Sequence, residues 1–237
     1  MWSTRLVVVI VTCACACGRL GFAPDPRADA TDASLAPGDI APPSVCGNTI
    51  LLAEAFTAST PGPQWTVTQS TGITASQGGG TLRFTFGSTA SPPEAAGYTL
   101  ASPIDFTDTC TVIEMTRIPD PTTTALVVIQ IGIGNPDLRF EELSGSLRSI
   151  YQMTSNSINH IDTRAHDPVA HRFLRLRNSG ASSWYWEVST DGVTFTTIAS
   201  KTNSTVPVTN VLGLKASAVN TVTNAGACEF VQVTISR

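Results

Sequence analysis

The chain has 237 residues, of which 42% are hydrophobic and 14% charged, and its net charge is −4. A wholly disordered chain would be poorer in apolar residues, and a collagen or coiled coil would show its period. With no clustered Lys/Arg stretch, the electrostatic footprint of a nucleic-acid-binding protein is absent. One globular domain is the default, and nucleic acid is not an expected partner.

The N-terminus reads as an export signal. Arg5 precedes an apolar run beginning at Leu6–Ile10, followed by Thr12-Cys13-Ala14-Cys15-Ala16 and then Cys17-Gly18. The run is too short for the roughly twenty residues a membrane-crossing helix needs, but suits a signal-peptide core. Ala14 and Ala16 stand at −3 and −1 to Cys17, which resembles a loosened bacterial lipobox. Cys17 is therefore the expected lipid-attachment residue after removal of 1–16, with Cys15 as the alternative and three buried thiols as the plain structural reading. Residues 17–45 carry Pro24, Pro26, Pro37, Pro42 and Pro43 among alanines and aspartates, without hydrophobic periodicity. Such a segment buries too little surface to offset its chain entropy and is expected to act as a tether. Gly18, in place of Asp, favours a lipid-anchored outer-membrane location, periplasmic or surface-exposed, with the lipid bilayer as one partner.

The domain from 46 to 237 keeps Cys46, Cys110 and Cys228, spaced too widely for a zinc knuckle or a C-x-x-C motif. An exported protein allows one bridge and one leftover thiol. Sequence leaves all three pairings open; Cys110 with Cys228 is preferred because each begins a strand-like run, and Cys46 is the rival partner for Cys228.

Strands are predicted, in chain order, over 49–56, 64–69, 81–86, 96–102, 110–118, 125–133, 137–143, 146–153, 169–177, 183–189, 193–198, 210–217 and 228–236. No window shows the apolar spacing of a surface helix. Turn chemistry separates the runs at Gln77-Gly78-Gly79-Gly80, Pro119-Asp120-Pro121, Gly134-Asn135-Pro136, Asn178-Ser179-Gly180 and Asp191-Gly192. So many short strands suit an all-β, two-sheet antiparallel jelly-roll sandwich.

In one hairpin the register is predictable. Alternation puts Leu174, Leu176, Trp184, Trp186 and Val188 on one face, and Phe173, Arg175, Arg177, Tyr185 and Glu187 on the other. A turn centred on Gly180 would pair Leu176 with Trp184, Leu174 with Trp186 and Arg175 with Tyr185. Asp191-Gly192 predicts a two-residue type I′ turn setting Val188 opposite Phe195. Trp184 and Trp186 are expected in the core, and Arg175, Tyr185 and Glu187 are the ligand-binding row if that face is more than a solvated surface.

The stretch HRFLRLRNSGASSWYWEVSTDGVTFTTI (171–198) resembles a segment of the concanavalin A-like lectin/glucanase superfamily, the laminin G-like jelly rolls. Phe173 and Phe195 stand where tryptophan is commoner. LLAEAF, GGGTLRF, VLGLKAS and EFVQVTIS follow the family in strand order. The resemblance implies a concanavalin A-like jelly roll with a concave face on which members often bind carbohydrate.

Glycosidases of that superfamily share an E-x-D-x-x-E strand that sets nucleophile and acid/base on one face, and this sequence lacks it. Glu114 has Thr116 where Asp belongs, and Glu141 and Glu142 are adjacent, so a strand points them to opposite faces. His160, His166 and His171, with Asp162 and Asp167, match no metal spacing and read as loop residues. Gly132-Ile133-Gly134 runs into Asn135-Pro136, where no helix opens, and no G-x-S-x-G elbow occurs. Asp105 and Asp108 are oxygen ligands of the kind a structural calcium would use, but they define no site, and no cofactor is expected. The reading is therefore a tethered, non-catalytic binding module for a glycan, or alternatively a structural or adhesion lipoprotein recognising a surface protein.

Overall fold

The computed structural model describes residues 46–237, apart from 156 and 181. The signal segment 1–16, the anchor residue Cys17 and the rest of the tether 17–45 lie outside the described residues.

The described residues form an all-β sandwich of two large antiparallel sheets. The eight-stranded sheet runs in space β15 (Thr196–Lys201), β14 (Ser183–Ser189), β13 (Phe173–Ser179), β8 (Cys110–Arg117), β19 (Ala227–Ser236), β4 (Thr81–Phe86) and β3 (Ile73–Gly78), with β1 (Ile50–Glu54) on the C-terminal half of β19. The seven-stranded sheet runs β12 (Ser157–Ala165), β11 (Ser146–Thr154), β10 (Asp137–Leu143), β9 (Ala125–Ile131), β17 (Leu212–Ala218), β6 (Ala95–Leu100) and β2 (Trp65–Thr68). Two short ladders, β5 (Thr89–Ala90) with β18 (Val222–Thr223) and β7 (Ile104–Asp105) with β16 (Thr209–Asn210), complete the set. Strands β3 and β12 fall between the predicted runs. Both are sheet edges with mixed exposure, so neither shows the apolar alternation that marks a half-buried strand.

The inner faces interdigitate as sequence parity requires. Leu174, Leu176, Trp184 and Trp186 are fully buried and pack with Phe84, Phe230, Ile113, Phe140 and Leu214 from both sheets. Trp186 also reaches across the sandwich: its indole Nε1–H donates to the backbone carbonyl of Arg139 on β10, at 2.9 Å. A buried indole donor is satisfied, and a central strand of the opposite sheet is pinned from beneath.

The β13–β14 register differs from expectation by two residues. Leu176 faces Trp186, Leu174 faces Val188 and Arg175 faces Glu187, because a three-residue connection follows the Ser179–Ser183 pair. A shift of two preserves every face, so the tryptophans stay in the core. Asp191-Gly192 does not make a type I′ hairpin. Only Gly192 has positive φ, Val188 pairs with Thr196, and Asp191 Oδ1 instead accepts the N–H groups of Val193 and Thr194. Two-residue turns with both φ positive occur instead at Gly79-Gly80, between β3 and β4, and at Ser144-Gly145, between β10 and β11.

The disulfide is Cys46–Cys110, with Cα atoms 5.6 Å apart, and Cys228 is a free buried thiol. This corrects the preferred Cys110–Cys228 pairing. Because β8 and β19 are antiparallel, Cys110 faces Ser236, which leaves Cys228 at the opposite end of β19, on the order of 25 Å away. Cys228 also points inward, opposite Phe84, whereas Cys110 shares the outer face with Arg177. Cys46 arrives beside Cys110 because Thr49 and Arg237 exchange two backbone hydrogen bonds, which dock the entry of β1 against the end of β19.

Candidate functional site

The expected ligand row on the eight-stranded sheet is sealed. Glu187 accepts from Arg175 Nε at 2.5 Å, from Arg177 Nη2 at 2.9 Å and from the Thr197 hydroxyl at 3.0 Å. Phe195 stacks on the Arg175 guanidinium and Tyr185 on that of Arg177, each at 3.9 Å. Arg175 and Glu187 are 3% and 1% exposed. The row points outward as parity requires, but rings and the Cys46–Cys110 bridge lie on top of it. Arg175 and Glu187 are therefore a buried structural network, and only Tyr185 keeps partial exposure.

The outer face of the seven-stranded sheet carries a different row, whose charged members are also less than a tenth exposed. On β10, alternation sends Leu138 and Phe140 into the core and Asp137, Arg139 and Glu141 outward. Arg139 lies between the two carboxylates: Nη1 donates to Asp137 Oδ1 at 2.6 Å and Nε to Glu141 Oε1 at 2.7 Å. Nη1 also donates to Gln152 Oε1 of β11, at 2.6 Å. On β9, Gln130 faces Arg139 and donates to the Gly132 carbonyl. The row is framed by Lys215 on β17, opposite Val128, and by Arg148 on β11, opposite Glu141. Burial raises the Asp137 carboxyl above its ordinary value, against the pull of Arg139, and Glu141 raises it further. Burial lowers Lys215, which Asp137 partly offsets.

Glu141 and Glu142 point to opposite faces, as strand alternation predicts, but the row around Arg139 is absent from the sequence expectations. The signal was present as charged residues at every second position of DLRFE. The partner of Glu141 is Asp137, four positions back on the same face, with Arg139 between them. Glu142 points inward, 3% exposed, and accepts the Gly145 N–H at 2.9 Å. Glu114 is held by Arg172 on the other sheet, at 2.6 Å.

The histidines separate. His160 is an exposed residue of strand β12, not of a loop. His166 and His171 stack with ring centroids 5.5 Å apart, and burial pushes His166 down to about 4. Among the described residues, no three His, Cys, Asp or Glu side chains are placed to hold a metal ion. Asp105 pairs with Arg237 and accepts from Thr107, while Asp108 accepts the Gly180 N–H. These two carboxylates thus serve separate loop contacts.

No family model and no curated protein matches the sequence. Solved structures do match the fold. A laminarinase from Flavobacterium sp. UMI-01 superposes with a TM-score of 0.60 at 8% identity, covering 80% of this chain and 100% of that one. A glycosyl hydrolase family 16 protein from Mycobacterium smegmatis gives 0.52 at 14% identity, covering 79% and 100%. The exoplasmic/lumenal domain of VIP36, bound to Ca2+ and Man3GlcNAc, gives 0.53 at 9% identity, covering 75% and 84%. The domain is a concanavalin A-like jelly roll. Glycosyl hydrolases among these neighbours overturn the expectation of a non-catalytic module, since this fold carries hydrolases as well as lectins.

Proposed function

We propose that the protein is carbohydrate-active and binds a glycan across the outer face of its seven-stranded sheet. The observation that carries this reading is the Asp137–Arg139–Glu141 row, flanked by Gln130 and Gln152 and held in place before any ligand arrives. Carboxylate, guanidinium and amide groups offer the paired donors and acceptors that sugar hydroxyls need, and a fixed array loses little freedom on binding. The lectin and hydrolase neighbours support carbohydrate as the ligand class.

Hydrolysis of a glycosidic bond is a second reading, favoured by one observation. Two carboxyl groups stand one guanidinium apart on one face, and burial raises one of them, Asp137. Glycoside hydrolysis needs such a pair, with a protonated member to donate to the leaving oxygen and an anionic member as nucleophile or base. In this reading Asp137, whose carboxyl burial raises, is the acid, and Glu141 is the second carboxyl across Arg139.

The test is a polysaccharide panel assayed with the full chain, by affinity electrophoresis for binding and by release of reducing ends for hydrolysis. Asp137→Asn with Glu141→Gln keeps the side-chain shapes, and binding is expected to fall at least tenfold with an unchanged circular dichroism spectrum. Undiminished binding by this variant would remove the site from that face. Reducing ends released by wild type but not by the variant would establish the hydrolase reading; binding without release would leave a lectin.

The domain acts, in this proposal, from a membrane surface, tethered through lipid on Cys17. Metabolic labelling with an alkynyl fatty acid is expected to mark the wild-type protein and not Cys17→Ser. Retained label on Cys17→Ser would place the anchor elsewhere, with Cys15 the next position to substitute.

A further inference from the structure

Resting on the glycan-binding reading above, we infer that the ligand is an anionic glycan, one of whose carboxylate or sulfate groups binds between Lys215 and Arg139.

The Lys215 side chain has a definite course. A Cβ on Gly97 would meet Lys215 Cγ at 3.2 Å, and a Cβ on Gly213 would lie 3.5 Å from Lys215 Cε. The lysine stem therefore runs over two glycines, from β6 across β17, toward the level at which Gly213 faces Gln130 and Gln130 faces Arg139. A Cβ at 97 would press on the stem, and one at 213 would sit in contact with its far end. The two glycines thus form a channel that brings an ammonium group to the Asp137–Arg139 row.

At its end, the ammonium has no hydrogen-bond acceptor among the described residues. Arg139 is in a related condition: Nε and Nη1 are engaged, whereas Nη2 donates to no described residue. The carboxylates do not fill the gap. Asp137 and Glu141 are already joined to Arg139, and three cations, Arg139, Arg148 and Lys215, stand against these two acids on a chain whose net charge is −4. A local cationic excess with open donors, partly withdrawn from water, is what a carboxylate or sulfate satisfies.

The rings point the same way. Neutral sugars are commonly held by stacking their apolar face on an aromatic side chain, and no Phe, Tyr or Trp of the described residues lies on this face. Tyr98, Tyr151, Trp65 and Phe140 of this sheet all belong to the core between the sheets, and Phe195, Tyr185 and Phe173 belong to the outer face of the other sheet. Recognition here falls to hydrogen bonds and charge.

The experiment measures binding of the full chain to polygalacturonate (carboxylate), to carrageenan (sulfate) and to laminarin (neutral), at two salt concentrations. At least one anionic polymer is expected to bind more tightly than laminarin, with affinity falling as salt rises. Lys215→Gln is expected to weaken that binding about tenfold and to weaken laminarin less, with Lys215→Arg restoring most of the loss. Which anionic polymer binds separates the carboxylate source from the sulfate source. Laminarin bound as tightly as both anionic polymers, or Lys215→Gln without effect, would overturn the inference. In that case the glycan-binding reading survives if Asp137→Asn with Glu141→Gln still abolishes laminarin binding. Failure of the wild type to bind any of the three polymers would overturn the inference, and failure across the wider panel would overturn both.

Discussion

Glu187→Ala is expected to lower the stability of the domain by about 3–5 kcal/mol, the usual cost of breaking a buried ion pair from one side. The carboxylate is the only acid among the described residues that either Arg175 or Arg177 pairs with, and it also accepts from Thr197. Removing it leaves two guanidinium groups confined beneath Phe195 and Tyr185 without a counter-charge. For a domain of this size, the melting temperature should drop by roughly 10 °C. The charge network need not be a net source of stability. Replacing all three together, by Arg175→Met, Arg177→Met and Glu187→Leu, should cost far less than Glu187→Ala, because apolar side chains need no counter-ion. Calorimetry on the two variants makes the comparison, and a loss below about 1 kcal/mol for Glu187→Ala would mean that water reaches the guanidinium groups.

Glu142→Gln should do the opposite, and only at higher pH. Burial pushes the Glu142 carboxyl up to about 7, although the Gly145 N–H and Arg148 pull it part of the way back. The folded state therefore holds this proton more tightly than the unfolded chain, whose glutamates titrate near 4.5. The stability that goes with the protonated form is complete below pH 4.5 and is lost as pH rises through 7. A separation of that size corresponds to about 3 kcal/mol. Glutamine keeps an oxygen for the Gly145 N–H and never ionises. Denaturant melts of both proteins should nearly coincide at pH 4.5 and separate by about 3 kcal/mol, in favour of Glu142→Gln, at pH 8. A constant difference across that range would show that the carboxyl does not titrate in the core. His166 slopes the other way: burial holds it down to about 4, so its contribution is present above about 6.5 and lost as pH falls toward 4. In wild type the two opposing slopes partly cancel, and Glu142→Gln should expose the histidine's slope.

Much of the sandwich was legible because its central strands alternate. Trp184, Trp186, Leu174 and Leu176 sort to the core by parity alone, and a hairpin register wrong by two residues changes none of their faces. The edge strands β3 and β12 were not legible, since a strand with one neighbour and a wet surface carries no period. Parity likewise placed Arg175, Tyr185 and Glu187 on an outer face correctly, but it says nothing about what lies on that face. Phe195, from the next loop, and a disulfide from a distant segment cover it. The Cys46–Cys110 bridge itself follows from the antiparallel pairing of β8 with β19, which local sequence does not contain. The Asp137–Arg139–Glu141 row is written in one strand, but a row centred on arginine does not carry the spacing of a carboxylate motif. Lys215, Gln130 and Gln152 reach it from three other strands, and the neighbouring of β9 with β17 is a long-range pairing.

The hydrogen bond from Trp186 to the Arg139 carbonyl bears on how replaceable the site's chemistry is. It grips β10 by its main chain, from the core side, so the position of the strand does not depend on which side chains occupy 137, 139 and 141. Exchanging those three residues alters the outward surface while the scaffold beneath stays in register. A strand held in this way can be redesigned by substitution at its outward positions alone, for instance by placing an acid at position 139, without repacking the interior.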